Sequence, residues 1–208
     1  MSATDIDILL IKHLADIDDG AKRMKVLEAK IASEMDAICN QWAKSKRWVN
    51  WSSWNDDELS VTPRKWVNGD PNDEDNWNAG FSLDYGYNDT GKGVGEEDCF
   101  WLTRLCGAGR GKIGFRFWQK VVPKSGWKPV ARKHAPKLSK SHFILDEGTN
   151  FFFPVRVDSA ALGEAVADGR IEEGLQTFEA ALDHLVACHR MFDSIMRAGE
   201  KAAGRRTG

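Results

Sequence analysis

Eleven lysines and arginines lie between Cys99 and Leu145 with no acid among them: Arg104, Arg110, Lys112, Arg116, Lys120, Lys124, Lys128, Arg132, Lys133, Lys137 and Lys140. A run of positive charge without local counter-charge creates a potential that the net charge of −2 for the whole chain conceals. Phosphate backbones are the commonest partners for such a surface, because each neutralised phosphate releases condensed counterions. Trp118 and Trp127 fall inside the run, and aromatic faces interleaved with cations serve single-stranded nucleic acid through stacking plus neutralisation. These thirteen residues are the expected contact set for nucleic acid or another polyanion. The stretch upstream has the opposite sign, with twelve acids from Asn55 to Asp98 against Arg64, Lys65 and Lys92. Neighbouring antiparallel strands could set the two signs against each other, so ordinary cross-strand pairing and solvation compete with a binding surface as explanations. A third reading is a protein-interaction or inhibitor module. It would use the acidic, tryptophan-rich half on a protein target, or the basic half on an acidic protein.

The acids raise a separate chemistry. Asp84 on an expected strand, with Glu96, Glu97 and Asp98 at the start of the next, could converge on a hard cation such as Mg²⁺. With Lys112 on the following strand, this order resembles nucleases of the PD-(D/E)XK type, in which a helix precedes a small sheet carrying an acid, a second acid and a lysine. The resemblance implies metal-dependent cleavage with Asp84, Glu97 and Asp98 as candidate ligands. The diagnostic (D/E)xK tripeptide lies on no expected strand, so it implies a degenerate relative. No catalytic residue and no cofactor is assigned on this basis.

Other reactive side chains are unpatterned. His134 and His142 flank the basic run with no carboxylate between them, and His189 sits on an apolar helical stripe where a hydrogen-bonded core histidine is the commoner outcome. No serine or cysteine sits in a nucleophile elbow. Cys39, Cys99, Cys106 and Cys188 form no CxxC pair, which excludes a recognisable zinc or redox motif and fits a reducing compartment. The apolar run Ile8 to Ile11 is too short to span a bilayer and follows Asp5 and Asp7, so a cytoplasmic protein without a membrane partner is expected. The chain reads as a non-catalytic binding protein.

These residues need a scaffold. Leu10, Leu14, Ile17, Ala21, Met24, Ile31, Met35, Ile38 and Trp42 recur at steps of four and three, broken only by Glu28, which predicts a long N-terminal helix capped at Thr4 or Asp5 and interrupted at Asp18 to Gly20. Ile171, Leu175, Phe178, Leu182, Leu185, His189, Phe192 and Met196 predict a C-terminal partner helix, capped by Asp158 or Ser159 and broken at Asp168 and Gly169. Between them, Leu59 to Val67, Phe81 to Tyr87, Cys99 to Leu105, Ile113 to Gln119 and the hairpin of His142 to Leu145 with Phe151 to Val157 read as strands. Trp48 to Asn78 reads as strand and loop, although the spacing of three in Trp48, Trp51 and Trp54 could also place them on one side of a helical turn, and the proline-punctuated segment 121–141 reads as a long basic loop. The expectation is one α+β domain: helical over 1–47, a central antiparallel sheet of about five strands in meander order over 48–158, and helical over 159–203, with the terminal helices packed together. A heptad stripe left uncovered in the monomer would be covered by a second copy as a homodimer.

Overall fold

The computed structural model describes residues 3–86, 98–109, 111–146 and 149–204. The chain begins with helices α1 (Ala3–Lys12) and α2 (Leu14–Lys46), which are nearly continuous. The interruption falls at His13 (φ −118°, ψ 25°) and not at the expected Asp18 to Gly20, which stays inside α2. Arg47 adopts the left-handed conformation (φ 59°) and returns its N–H to the carbonyls of Ala43 and Lys44, which ends α2 and turns the chain into the sheet.

Six antiparallel strands follow: β1 (Trp48–Ser53), β2 (Glu58–Pro63), β3 (Ala79–Tyr85), β4 (Ile113–Gln119), β5 (Ile144–Leu145) and β6 (Phe151–Val155). Their order is β1-β2-β3-β4-β6-β5, so the first four form a meander and the last hairpin joins through its second strand. Trp48 to Trp54 is therefore a strand running into a short 3-10 turn, not a helical turn. Val49 and Thr62, then Trp51 and Ser60, are paired across β1 and β2, and that non-local pairing overrides the spacing of three.

Two further expectations fail. The stretch expected as the first strand of a hairpin with β4 instead contains helix α3 (Trp101–Leu105), and β4 pairs with β3 and β6. Segment 121–141 is no loop: it holds helix α4 (Lys124–Ser139). Trp127, Val130, Ala131 and Leu138 recur at helical spacing and are buried. Each of Pro129 and Pro136 removes a helical hydrogen bond at a cost of about 3 kcal/mol. Burying a large apolar side chain gains about 1.5–3 kcal/mol, so Trp127, Val130 and Leu138 together offset a cost of that size.

Helices α5 (Ser159–Ala167), α6 (Ile171–Gly174) and α7 (Gln176–Gly204) complete the chain. Asp158 caps α5 by accepting from the N–H groups of Ala160 and Ala161. Alternate residues of β3 and β4 face α7: the Phe192 ring lies 4.3 Å from Phe117 and 5.2 Å from Phe81, and Phe178 lies 6.0 Å from Phe115. From Ile31 onward α2 buries Met35, Cys39 and Trp42 against the same core, beside β1 and α7. The fold is α+β, with long terminal helices flanking an antiparallel sheet. Among the described residues no helix is long and apolar enough to cross a membrane.

Candidate nucleic-acid interface

The thirteen residues of the expected contact set separate into two groups. Six do not form a common surface. Arg104 is 6% exposed and its Nε donates to Asp98 Oδ2 at 3.2 Å, with its guanidinium 4.8 Å from the Tyr85 ring. Arg116 joins Asp84 on the neighbouring strand to Asp146, donating to Asp146 Oδ2 at 2.7 Å. Lys112 is half-buried, and Lys120 reaches the Glu74 carbonyl at 3.3 Å and Asp75 at 3.7 Å. Trp118 donates to Ser82 Oγ at 2.8 Å and stacks on Trp77, its ring plane within 7°. Trp127 is buried and donates to the Thr149 carbonyl at 2.8 Å, so its face is closed to a base. Arg110 lies outside the described residues.

The remaining six stand together on α4. Lys124, Lys128 and Arg132 follow one another at steps of four, and Lys133, Lys137 and Lys140 at four and three. All six are exposed, opposite the buried Trp127, Val130, Ala131 and Leu138. None lies within ion-pair distance of a carboxylate among the described residues. A 16-residue helix is about 24 Å long at 1.5 Å per residue, and at 3.6 residues per turn the charges run along it in two rows, Lys124, Lys128 and Arg132 on one side of the exposed face and Lys133, Lys137 and the C-cap Lys140 on the other.

Part of this pattern works against the helix that carries it. Lys124 and Lys128 sit at the N-terminal end, where the macrodipole disfavours cations by about 0.3–1 kcal/mol, and α4 has no acid in its first turn. Lys124 with Lys128, Lys128 with Arg132, and Lys133 with Lys137 are like-charge pairs four apart, each unfavourable by about 0.2–0.5 kcal/mol. His134, half-buried between them, is held below the ordinary imidazole range by burial first, then by Lys133 and Lys137. Lys137 in the last turn and Lys140 at the C-cap are favoured by the same dipole, so helix stability accounts for that end of the pattern and not for Lys124, Lys128 and Arg132.

The helix is held rigidly from behind. A Cβ at Gly126 would lie 3.2 Å from the Gly199 carbonyl, and one at Gly199 would lie 2.7 Å from Val122 Cγ1, so glycines permit the close approach of α4 and α7. At the far end His184 Nε2 meets the Ser141 carbonyl at 2.9 Å, which makes the two helices antiparallel.

The acids considered for a cation are engaged elsewhere. Asp84 pairs with Arg116, and Asp98 pairs with Arg104 and accepts from the Gly111 N–H at 3.1 Å. Glu96 and Glu97 lie outside the described residues, and among the described ones no three His, Cys, Asp or Glu side chains gather into a metal site. Of the nine tryptophans most fill the core, while Trp51 is 44% exposed and donates to Glu58 at 2.8 Å.

Sequence reasoning missed a cleft of about 500 Å³ lined by Glu28, Trp54, Asp57, Tyr85, Trp101 and Arg104. Glu28, the break in the N-terminal stripe, accepts from the Leu102 N–H at 2.9 Å and so caps α3, and burial raises its carboxyl pKa above the ordinary value. Tyr85 donates to Asp57 at 2.6 Å. The carboxylates of the cleft are thus already committed to protein donors. Only the broken periodicity at Glu28 marked the place in the sequence. No family model, curated protein or solved structure matches the chain.

Proposed function

We propose that the protein is a non-catalytic binder of nucleic acid that grips the phosphate backbone with the outer face of α4. Lys124, Lys128, Arg132, Lys133, Lys137 and Lys140 neutralise phosphates, and no base stacks on Trp118 or Trp127. The observation that supports this reading is an exposed helix face with six cations, unmatched by carboxylates among the described residues. Recognition of this kind follows charge spacing, not sequence, because phosphate contacts carry no base information.

The test is fluorescence anisotropy with labelled duplex DNA over a salt series. For three to six phosphates neutralised, the plot of log affinity against log salt has a slope of about −3 to −5. Lys128→Glu/Arg132→Glu/Lys137→Glu, all at exposed positions, lowers affinity at least tenfold and flattens the slope by about 3. Binding that is absent at about 50 mM salt, indifferent to salt, or unchanged in the triple variant overturns the proposal.

A further inference from the structure

From Thr4 to Lys30 the chain is helical apart from His13, and no side chain there is fully buried: Met24 and Leu27 are half-buried against the core, and the first fully buried residue is Ile31. Ile6 (43%), Leu10 (47%), Ile11 (69%), Leu14 (62%), Ile17 (43%) and Val26 (71%) are all exposed. Isolated exposed apolar residues are ordinary, but a run along one helical arm marks a surface that something covers.

The arm itself indicates what covers it. Leu10, Leu14, Ile17, Ala21 and Met24 alternate at steps of four and three, the spacing that keeps a seam facing a second helix. Charge along the arm is segregated about the middle of that seam. Asp16, Asp18 and Asp19 come before Gly20, and Lys22, Arg23 and Lys25 come after it. A parallel copy would set like charge on like, whereas an antiparallel copy sets each acidic half against a basic half. Gly20 lies near the crossing point, and a Cβ there would meet nothing within 4 Å, which leaves room for a close approach. A lipid surface fits less well: α1 carries Asp5 and Asp7 against Lys12, and anionic headgroups repel that balance.

We infer that residues 12–26 are a self-association arm that takes the same arm of a second copy of this chain, antiparallel, about a two-fold axis beside Gly20. The interface is isologous, with Ile17 of each copy against Ala21 of the other and Leu14 against the edge of Met24 that its own core leaves uncovered. It is independent of α4 and leaves that face open.

Sedimentation equilibrium of the full chain tests it. The wild type gives twice the mass of the chain at micromolar concentration and dissociates on dilution. Leu14→Lys/Ile17→Lys changes only exposed positions; it leaves the circular dichroism spectrum intact and weakens association at least ~100-fold, the cost of desolvating charge in an apolar seam. Asp16→Lys/Asp18→Lys/Asp19→Lys and Lys22→Glu/Arg23→Glu/Lys25→Glu are each monomeric alone and form a one-to-one dimer when mixed. Thr4→Cys in a Cys99→Ser background yields no disulfide-linked dimer, because antiparallel arms hold their starts far apart. A wild type that stays monomeric at ~1 mM overturns the inference. So does a dimer that survives Leu14→Lys/Ile17→Lys, a Thr4→Cys crosslink, or a monomer that floats with phosphatidylserine vesicles.

Discussion

Arg116 and Lys128 illustrate how differently two cations of one run can be used. Arg116 extends from β4 away from α7, and its guanidinium bridges Asp84 and Asp146, with the Phe152 ring 5.5 Å away. The Asp146 side chain is fully buried, and it also accepts from the Asn150 N–H at 2.7 Å, holding the turn into β6. Neutralising Asp146 leaves Arg116 paired with Asp84 and costs a buried charge-assisted hydrogen bond, about 1.5–3 kcal/mol. Asp146→Asn is therefore expected to lower the urea midpoint of unfolding, whereas Lys128→Glu, which relieves two like-charge pairs at an exposed position, leaves it unchanged or raises it. Equal midpoints for the two variants would show that the bridge carries no net stability. Composition cannot separate these residues. The acids that neutralise Arg104 and Arg116 sit on other elements, so the pairing depends on register and not on local spacing. The six residues on α4 were visible as a charge block, but their shared face was not, because the segment read as a loop.

At the scale of elements, the long terminal helices and the alternating strands were legible, and the two helices between the strands were not. The C-terminal stripe from Ile171 to Met196 became α6 and α7 with all but His189 buried, and the break at Gly169 (φ 70°) fell where the glycine suggested. Cys99 to Leu105 offered too few residues to separate a strand from the single turn and a half of α3. In α4 the prolines read as punctuation, and the apolar spacing beneath them decided the outcome. The contact of α4 with α7 depends on small residues that no local pattern announces. Gly199→Val would push against Val122 and is expected to destabilise the protein by about 1–3 kcal/mol. Gly163→Ala in α5, where a Cβ meets nothing within 4 Å, is expected to stabilise it by about 0.5–1 kcal/mol by removing a helical glycine. Thermal melts of the two variants should move in opposite directions. Shifts of the same sign would show that the glycine approach does not limit how closely the helices pack.

For the whole molecule, the two proposals combine into a prediction that neither makes alone. The N-terminal arm and α4 share no residues, and one antiparallel dimer carries two basic stripes, each about 24 Å long. A duplex of about ten base pairs engages one stripe. A duplex of about sixty can reach both, and the second contact is then intramolecular, with an effective concentration that raises affinity by at least tenfold and up to about 10⁴-fold over a single stripe. The wild type is accordingly expected to prefer the longer duplex well beyond the ratio of available sites. Leu14→Lys/Ile17→Lys should abolish that preference and leave affinity for the short duplex unchanged. Lys128→Glu/Arg132→Glu/Lys137→Glu should weaken binding to both. If the arm variant binds the two duplexes as the wild type does, the stripes do not act together, whatever each half does alone. If it weakens the short duplex as well, the arm itself contacts phosphate, and the separation of the two surfaces is wrong. The net charge of −2 adds a reason for two stripes. Outside α4 the chain carries a clear excess of acid and repels a polyanion at long range, so one stripe binds against that background while two linked stripes overcome it.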